Sequence, residues 1–360
     1  MTKKIIFSAG GSGGHIFPAI NLMKHFSKKG FDVLLVTDER GKKFIKDDQK
    51  IQPCILNAGT PTNKNILKKI LSFFTIFFSI IKAISILKKE KPDLVFGFGG
   101  YVSFPISFTS RFFNFPLVIY ENNVILGRAN KYLLTFSKKI LLAKKIENLP
   151  EKYKYKVYEV GSILEKKIIN YADYNKLSSK KDFSVLVIGG SQGAEIFGTI
   201  IPSVIKMLKE KGHTIQIKQQ CAKDQKNKII DFYKKNEINN YVFEFDKNML
   251  ELILSSDLAI TRCGASTTAE LAHTLTPFIA VPIPQSIDNH QYLNAKYYEE
   301  RGCCWILEQN SFTIENLFKL MEETINNKKK LEEIRKNMKK NDNKNVYTNV
   351  ENQVNEFIEK

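Results

Sequence analysis

The stretch Ala9–Ile20, AGGSGGHIFPAI, is met again in altered form at Ile188–Ile200, IGGSQGAEIFGTI. With one inserted residue the two align through Gly-Gly-Ser and a shared Ile-Phe. Each follows a short apolar run, Lys4–Ala9 and Phe183–Ile188, that reads as a buried strand. Strand, glycine loop and helix open a Rossmann-like unit, so a second opening predicts a second unit in the same chain.

The rest of the chain fills in this frame. A helical pattern is expected over Phe17–Lys29, and strands over Phe31–Thr37, Leu94–Gly97 and Leu117–Tyr120. After the second loop, strands are expected over Ile215–Gln219, Val242–Phe245, Leu258–Thr261 and Phe278–Val281. Strands alternating with helices predict an α/β chain of two doubly wound parallel sheets, with ligands in a central cleft at the strands' carboxyl ends. At 360 residues and 43% hydrophobic, the chain suits two cores better than one. The charged stretch Asn148–Lys181 lacks sustained apolar periodicity and places the boundary near Gly161. The expected domains are therefore residues 1–161 on the acceptor and membrane side, and 162–340 for the donor. A C-terminal helix over 341–360 is expected to pack back on the first domain.

The formal net charge is +18, nearly all of the excess from Lys; it suits nucleic acid, an anionic membrane face or phosphate-rich ligands, or simply reflects a composition rich in Lys, Ile and Asn. Cys54, Cys221, Cys263, Cys303 and Cys304 have neither zinc nor redox CxxC spacing, and are expected as free thiols. The start, MTKKIIFSAGGSGGH, runs into a strand rather than a cleavable signal, so a cytoplasmic protein is expected. Lys64–Lys91 has a Phe-rich core, Ile70–Ile81, flanked by lysines. That core is too short for the roughly 20 residues a span needs, but it fits both a buried linking helix and one lying in a membrane interface.

Three loops carry the chemistry: Gly10–His15, Gly97–Tyr101 and Gly189–Gly193. Glycines let a ligand approach the main chain, and a following helix N-terminus favours an anion, so phosphates are the natural guests. The first loop breaks the dinucleotide fingerprint, since Ile16 stands where its last glycine is required. Asp38, at the end of the second expected strand, keeps a nicotinamide reading open. No GxxxxGK[ST] is present, which excludes a P-loop NTPase. Nothing resembles an RNP motif or a zinc finger, and no nucleic-acid partner is expected. In the second half, TRCGASTTAELA (Thr261–Ala272) follows a strand and enters a helix that Ser266, Thr267 or Thr268 could cap. Glu270 can complement that helix's dipole or accept hydrogen bonds from ribose hydroxyls. Asp288, Asn289, His290 and Gln291 offer the donors and acceptors that sugar hydroxyls need.

Taken together, GGSGGHIFPA, GFGGYVSFP, Glu121-Asn122-Asn123, GGSQGA, RCGASTTAE and DNHQYLNA resemble the MurG family of bacterial cell-wall glycosyltransferases, in order and from the first strand to about Ala295. The resemblance implies a GT-B fold and inverting transfer of N-acetylglucosamine. The donor would be UDP-N-acetylglucosamine and the acceptor undecaprenyl-pyrophosphoryl-MurNAc-pentapeptide (lipid I), giving β-1,4-linked lipid II. It implies a peripheral enzyme on the cytoplasmic face of the inner membrane, bound to an anionic surface and needing no cofactor. Ser191 would contact the donor phosphates. Ala265, Ser266, Thr267, Thr268, Ala269 and Glu270 would line the nucleotide pocket, with Glu270 on the ribose and Gln291 on the sugar. Ser12, Gly13, Gly14 and Asn123 would face donor sugar and acceptor from the first domain.

The chain departs from the family at three places. It reads Tyr120-Glu121-Asn122-Asn123 for HEQN, Gly161–Glu165 (GSILE) for GNPVR, and His290–Gln291 for a glutamine pair. The arginine contact at Glu165 is not carried over. For the general base, His15 suits neutral pH with an ordinary pKa of roughly 6.5, and Glu121 is the competing candidate. The sequence shows no acidic pair or His/Cys cluster that requires a metal.

Overall fold

The computed structural model describes residues 2–45, 51–56, 66–147, 149–171, 182–190, 194–342 and 344–359, with backbone alone over 66–73. They fall into two compact units. One comprises residues 1–166 with 343–360, the other 167–342.

In the first unit the elements run β1 (Lys4–Ser8), α1 (Gly13–Lys28), β2 (Asp32–Thr37), α2 (Glu39–Lys42), β3 (Cys54–Ile55), α3 (Ile66–Glu90) and β4 (Leu94–Gly97). There follow α4 (Ser103–Ser110), β5 (Leu117–Glu121), α5 (Arg128–Leu133), β6 (Lys139–Leu142), β7 (Val157–Glu159) and, at the boundary, α6 (Lys166–Ile169). The sheet order is β3-β2-β1-β4-β5-β6-β7, and every pairing is parallel.

The second unit runs β8 (Phe183–Ile188), α7 (Glu195–Glu210), β9 (Ile215–Gln220), α8 (Lys226–Lys235), β10 (Asn239–Phe243), α9 (Met249–Leu254) and β11 (Leu258–Thr261). It continues with α10 (Ala265–His273), β12 (Phe278–Ala280), α11 (His290–Glu299), β13 (Cys304–Ile306), α12 (Ile314–Asn326) and α13 (Lys328–Lys340). Its order, β10-β9-β8-β11-β12-β13, is again all parallel. Both sheets therefore reverse direction beside their first strand, between β1 and β4 and between β8 and β11. In doubly wound sheets that reversal opens the ligand crevice.

The interior strands read as continuous apolar runs because helices cover both faces of a parallel sheet. On β8, Val185 and Val187 enter one core cluster while Leu186 and Ile188 enter the other. On β1, Ile6 faces the aliphatic core, and Phe7 stacks on Phe96, which stacks on Phe98.

Two expected elements are corrected. The first helix begins at Gly13 rather than Phe17, its first turn made by the glycine loop itself. The strand expected at Val242–Phe245 is Asn239–Phe243. It lies at the sheet edge, where Asn239 and Tyr241 are exposed, so an apolar-run reading starts too late.

The final helix, α14 (Val346–Ile358), belongs to the first unit. Tyr347 Oη donates to Leu164 O at 2.7 Å, Lys139 pairs with Glu356 at 2.7 Å, and Glu351 meets both His25 and Lys29. Burial lowers the His25 pKa against the opposing pull of Glu351. Burial would raise Glu351, but the hydrogen bonds from Lys29 and His25 outweigh it and hold the carboxyl below its usual range.

The helix α3 is apolar on two faces. Ser79, Ala83, Ile86 and Leu87 are buried, at the spacing of one helical stripe. Phe74, Phe77, Phe78 and Ile81 form a second stripe that is exposed, by 59%, 58%, 64% and 48%. Among the described residues no helix is long and apolar enough to cross a membrane.

Candidate active site

In the first unit the site is built at the carboxyl ends of β1, β4 and β5. Gly11 has φ of +81°, and Gly190 at the matching place of the second unit has +83°, so the repeated glycine serves one backbone turn. Asp38 holds that turn, accepting from Gly11 N at 3.3 Å, Gly41 N at 2.7 Å and Arg40 Nε at 2.9 Å. Burial would raise its pKa, but these hydrogen bonds dominate and keep it low. An Asp engaged by its own loop has little capacity left for a dinucleotide ribose, which removes the support for a nicotinamide reading.

Ser12 is the exposed N-cap residue of α1, and its hydroxyl makes no capping bond. Gly13, Gly14 and His15 form the first turn, where the leading N–H groups of an α-helix lack intrahelical acceptors, although His15 N already donates to Ser12 O at 3.1 Å. The Gly97–Tyr101 loop packs against this turn. A Cβ on Gly99 would stand 3.1 Å from His15 Cε1, and one on Gly100 would stand 2.7 Å from Gly10 O. His15 is thus half-buried between two glycine loops, and glycine is what allows them to meet.

Glu121, the competing base candidate, is 1% exposed and surrounded by donors. Its Oε1 accepts from Asn123 N at 3.1 Å and Asn123 Nδ2 at 2.9 Å, and its Oε2 from Gly127 N at 2.8 Å and Asn130 Nδ2 at 2.9 Å. This carboxylate organises the 121–130 loop and positions Asn123, an arrangement ill-suited to a base that must meet substrate.

The second unit repeats the plan at the ends of β8, β11 and β12. Gly189 N donates to Gln220 Oε1 at 3.1 Å, and Gln220 Nε2 donates to Glu244 O at 3.0 Å, tying the glycine loop to β9. Ser191 lies outside the described residues. Nothing stands within 4 Å of where a Cβ would be on Gly190 or Gly264, which follow neighbouring strands, so both backbones are open to a ligand.

The helix α10 starts at Ala265 with Gly264 as its N-cap and no side-chain capping bond. This corrects the expected capping by Ser266, Thr267 or Thr268. These residues lie inside the helix, and Thr268 Oγ1 bonds back to the carbonyls of Gly264 and Ala265. The expected pocket residues divide accordingly: Ala265, Thr268 and Ala269 are buried, while Ser266, Thr267 and Glu270 are half-buried.

Gln291 Oε1 accepts from Cys263 N at 3.2 Å and Ile283 N at 3.1 Å, which leaves its NH2 group as the donor side. Two residues missed by the sequence reading complete this frame. Asn294 is fully buried and its Nδ2 donates to Cys263 O at 3.1 Å. Arg262 donates to Val281 O at 3.0 Å and Gln309 Oε1 at 2.6 Å, and lies over the Phe197 ring. His290, the departure beside Gln291, is half-buried and its Nδ1 pairs with Ile287 O at 2.7 Å. Beyond Ile283 lies an open cavity of about 220 Å³ whose lining includes Pro284, Tyr292 and Glu308. Among the described residues no cluster of His, Cys, Asp or Glu could hold a metal.

A crystal structure described as Acinetobacter baumannii MurG superposes with a TM-score of 0.80 at 25% identity, covering 99% of this chain and 100% of that one. The fold is accordingly that of the GT-B glycosyltransferases: two parallel-sheet units, each with a glycine loop at its switch point. The chain belongs to glycosyltransferase family 28, whose N-terminal domain matches residues 5–142 and whose C-terminal domain matches residues 184–350. A Pelagibacter ubique (strain HTCC1062) protein is 37% identical over 352 residues, 97% of each chain. It is named UDP-N-acetylglucosamine--N-acetylmuramyl-(pentapeptide) pyrophosphoryl-undecaprenol N-acetylglucosamine transferase. A Rickettsia canadensis (strain McKiel) protein of the same name is 38% identical over 341 residues, 94% of this chain and 95% of that one.

Proposed function

We propose that this protein transfers N-acetylglucosamine from UDP-N-acetylglucosamine to undecaprenyl-pyrophosphoryl-MurNAc-pentapeptide, forming lipid II with inversion at the anomeric carbon. The observation that carries the reading is the near full-length similarity to transferases of that name. In the reaction the acceptor hydroxyl oxygen attacks C1 of the sugar, the C1–O bond to UDP breaks, and UDP leaves with the bonding electrons. His15 takes the hydroxyl proton. It is half-buried at the start of α1 and framed by two glycine loops, whereas Glu121 is enclosed by four donors.

The donor's phosphates rest on the glycine loop after β8, with Ser191 and the backbone from Gly190 onward stabilising the departing charge. Glu270 takes the ribose hydroxyls from α10, beside Ala265, Ser266, Thr267, Thr268 and Ala269. Of these, Ser266 and Thr267 supply contacts and the buried three supply shape. Gln291 donates its NH2 to a sugar hydroxyl. Ser12, Gly13, Gly14 and Asn123 face the sugar and acceptor from the first unit. The exposed Phe74, Phe77, Phe78 and Ile81 stripe on α3, carried by a chain of net charge +18, docks on an anionic bilayer at the cytoplasmic face of the membrane, where a polyprenyl acceptor resides.

The test is single-turnover transfer with the linkage of the product read by NMR, for the unaltered protein and for His15→Ala. A β linkage is expected, together with a large fall in turnover and unchanged UDP affinity for the variant. An α linkage, or normal turnover without the imidazole, would overturn the mechanism.

A further inference from the structure

Inside α1, the carbonyl of Gly14 would ordinarily accept the N–H of residue 18, but residue 18 is proline and has none. The acceptor is taken by a side chain from another element: Asn122 Nδ2 donates to Gly14 O at 3.3 Å. Asn122 is buried, and its Oδ1 lies 3.1 Å from Tyr120 Oη, which donates to it. The Tyr120 hydroxyl also lies 3.2 Å from Gly161 O and accepts from Ile163 N at 3.0 Å. Burial pushes the phenol's pKa well up, so it keeps the proton that these contacts require. The 160–164 segment is fixed from its other side by α14, where Asn349 Nδ2 donates to Val160 O at 3.3 Å and Tyr347 Oη to Leu164 O at 2.7 Å.

A continuous chain of hydrogen bonds thus runs from the last stretch of the first unit, through Tyr120 and Asn122, to the carbonyl that immediately precedes His15. Tyr120 and Ile163 lie 43 positions apart in the chain. Here the two residues touch: an N–H at position 163 meets a hydroxyl from position 120.

We infer that Tyr120 is a positioning residue for the transfer reaction, fixing the His15 turn through Asn122 while anchored by Gly161 and Ile163. The inference rests on the proposed role of His15. Without the relay, Gly14 O loses its side-chain partner and the turn drifts, which costs rate rather than donor affinity, because the donor's phosphates are held by the other unit.

The test measures kcat, donor KM and UDP Kd for Tyr120→Phe, Asn122→Ala and the double variant, each well below its melting range. Each single change is expected to lower kcat about tenfold or more, since small misplacements of reacting groups carry large rate penalties. UDP Kd stays within about twofold, and the double variant is no worse than the worse single, because both changes break one chain. Unchanged kcat in Tyr120→Phe, or effects that multiply in the double variant, would overturn the inference. If Tyr120→Phe does not fold, Ile163→Pro removes the N–H that anchors the phenol, at the added cost of a fixed φ, and is expected to give the same kcat-selective loss. If the unaltered protein transfers no sugar, the proposed function fails instead. The positioning claim is then read from the His15 imidazole resonances, assigned with His15→Gln, which move in Asn122→Ala if the relay exists and stay in place if it does not.

Discussion

Replacing Glu121 with Gln separates a structural carboxylate from a catalytic one. The side chains are nearly isosteric, but the carboxylate only accepts and the amide must present an NH2 on one side. Each oxygen of Glu121 faces two donors, of which one is a backbone N–H: Asn123 N on one side and Gly127 N on the other. Neither backbone group can turn away. Asn130 could flip its amide to meet the new NH2, but its Nδ2 also donates to Tyr120 O at 3.1 Å and that bond would be lost. Whichever way the substituted amide sits, at least one backbone donor faces a donor in a buried site, and the remaining bonds lose their charge assistance. One such bond with its orphaned donor is worth about 3 kcal/mol. For a unit of this size that is a fall of roughly 10 °C in melting temperature. Calorimetry of Glu121→Gln beside the unaltered protein gives the number directly, with turnover measured well below both transitions. The expected result is a clear loss of stability with turnover far less affected than in His15→Ala. An unchanged melting temperature with abolished turnover would refute the reasoning and make Glu121 the reacting group.

Other outcomes follow from the same geometry. Phe77→Ser with Phe78→Ser removes two half-exposed rings from the exposed apolar stripe of α3; if that stripe docks as proposed, then at about 1.5 kcal/mol for each ring's remaining burial, cosedimentation with anionic vesicles should weaken roughly a hundredfold. Gln291→Glu keeps the oxygen that receives Cys263 N and Ile283 N but deletes the NH2. Donor KM should rise with little change in stability, and an unchanged KM counts against the sugar contact. Gly100→Ala forces a Cβ within 2.7 Å of Gly10 O at a φ of +79°, so turnover should collapse while UDP affinity, read by calorimetric titration, is kept.

The pH dependence follows from the α14 contacts. His25 and Glu351 both have lowered folded-state pKa values. Each therefore adds stability that is present above its unfolded pKa and is lost as pH falls through the folded one. For His25 the loss begins below about 6.5, and for Glu351 below about 4.3. Thermal melts should fall with acidification in that order, and His25→Phe should flatten the first step. A first step of the same size in that variant would show that His25 is not its source.

What the sequence could reveal was decided by how local each cause is. Interior strands such as Leu94–Gly97, Phe183–Ile188 and Leu258–Thr261 are legible to the residue, because a strand buried on both faces must be apolar throughout. Edge and short strands were missed or shifted: Cys54–Ile55, Val157–Glu159 and Asn239–Phe243 bury too little to show a pattern. The glycine loops were legible as turns, since φ near +80° needs glycine, and the repeat between Gly11 and Gly190 follows from that. Roles set by distant partners were not legible. Asp38 as a loop holder depends on Gly11, twenty-seven positions away, Gln220 on Gly189, and Arg262 on Gln309. Nor does a sequence show that Gln291's oxygen is engaged by two backbone N–H groups while its nitrogen is the side left to donate.

The most direct measurement is transfer of radiolabel from UDP-N-acetylglucosamine to a short-chain lipid I analogue, with UDP-glucose and UDP-galactose competing. Transfer to the muramyl acceptor, barely slowed by the other two donors, is the result expected of the proposed enzyme. Tight UDP binding with no transfer, or transfer of glucose or galactose in preference, would contradict it.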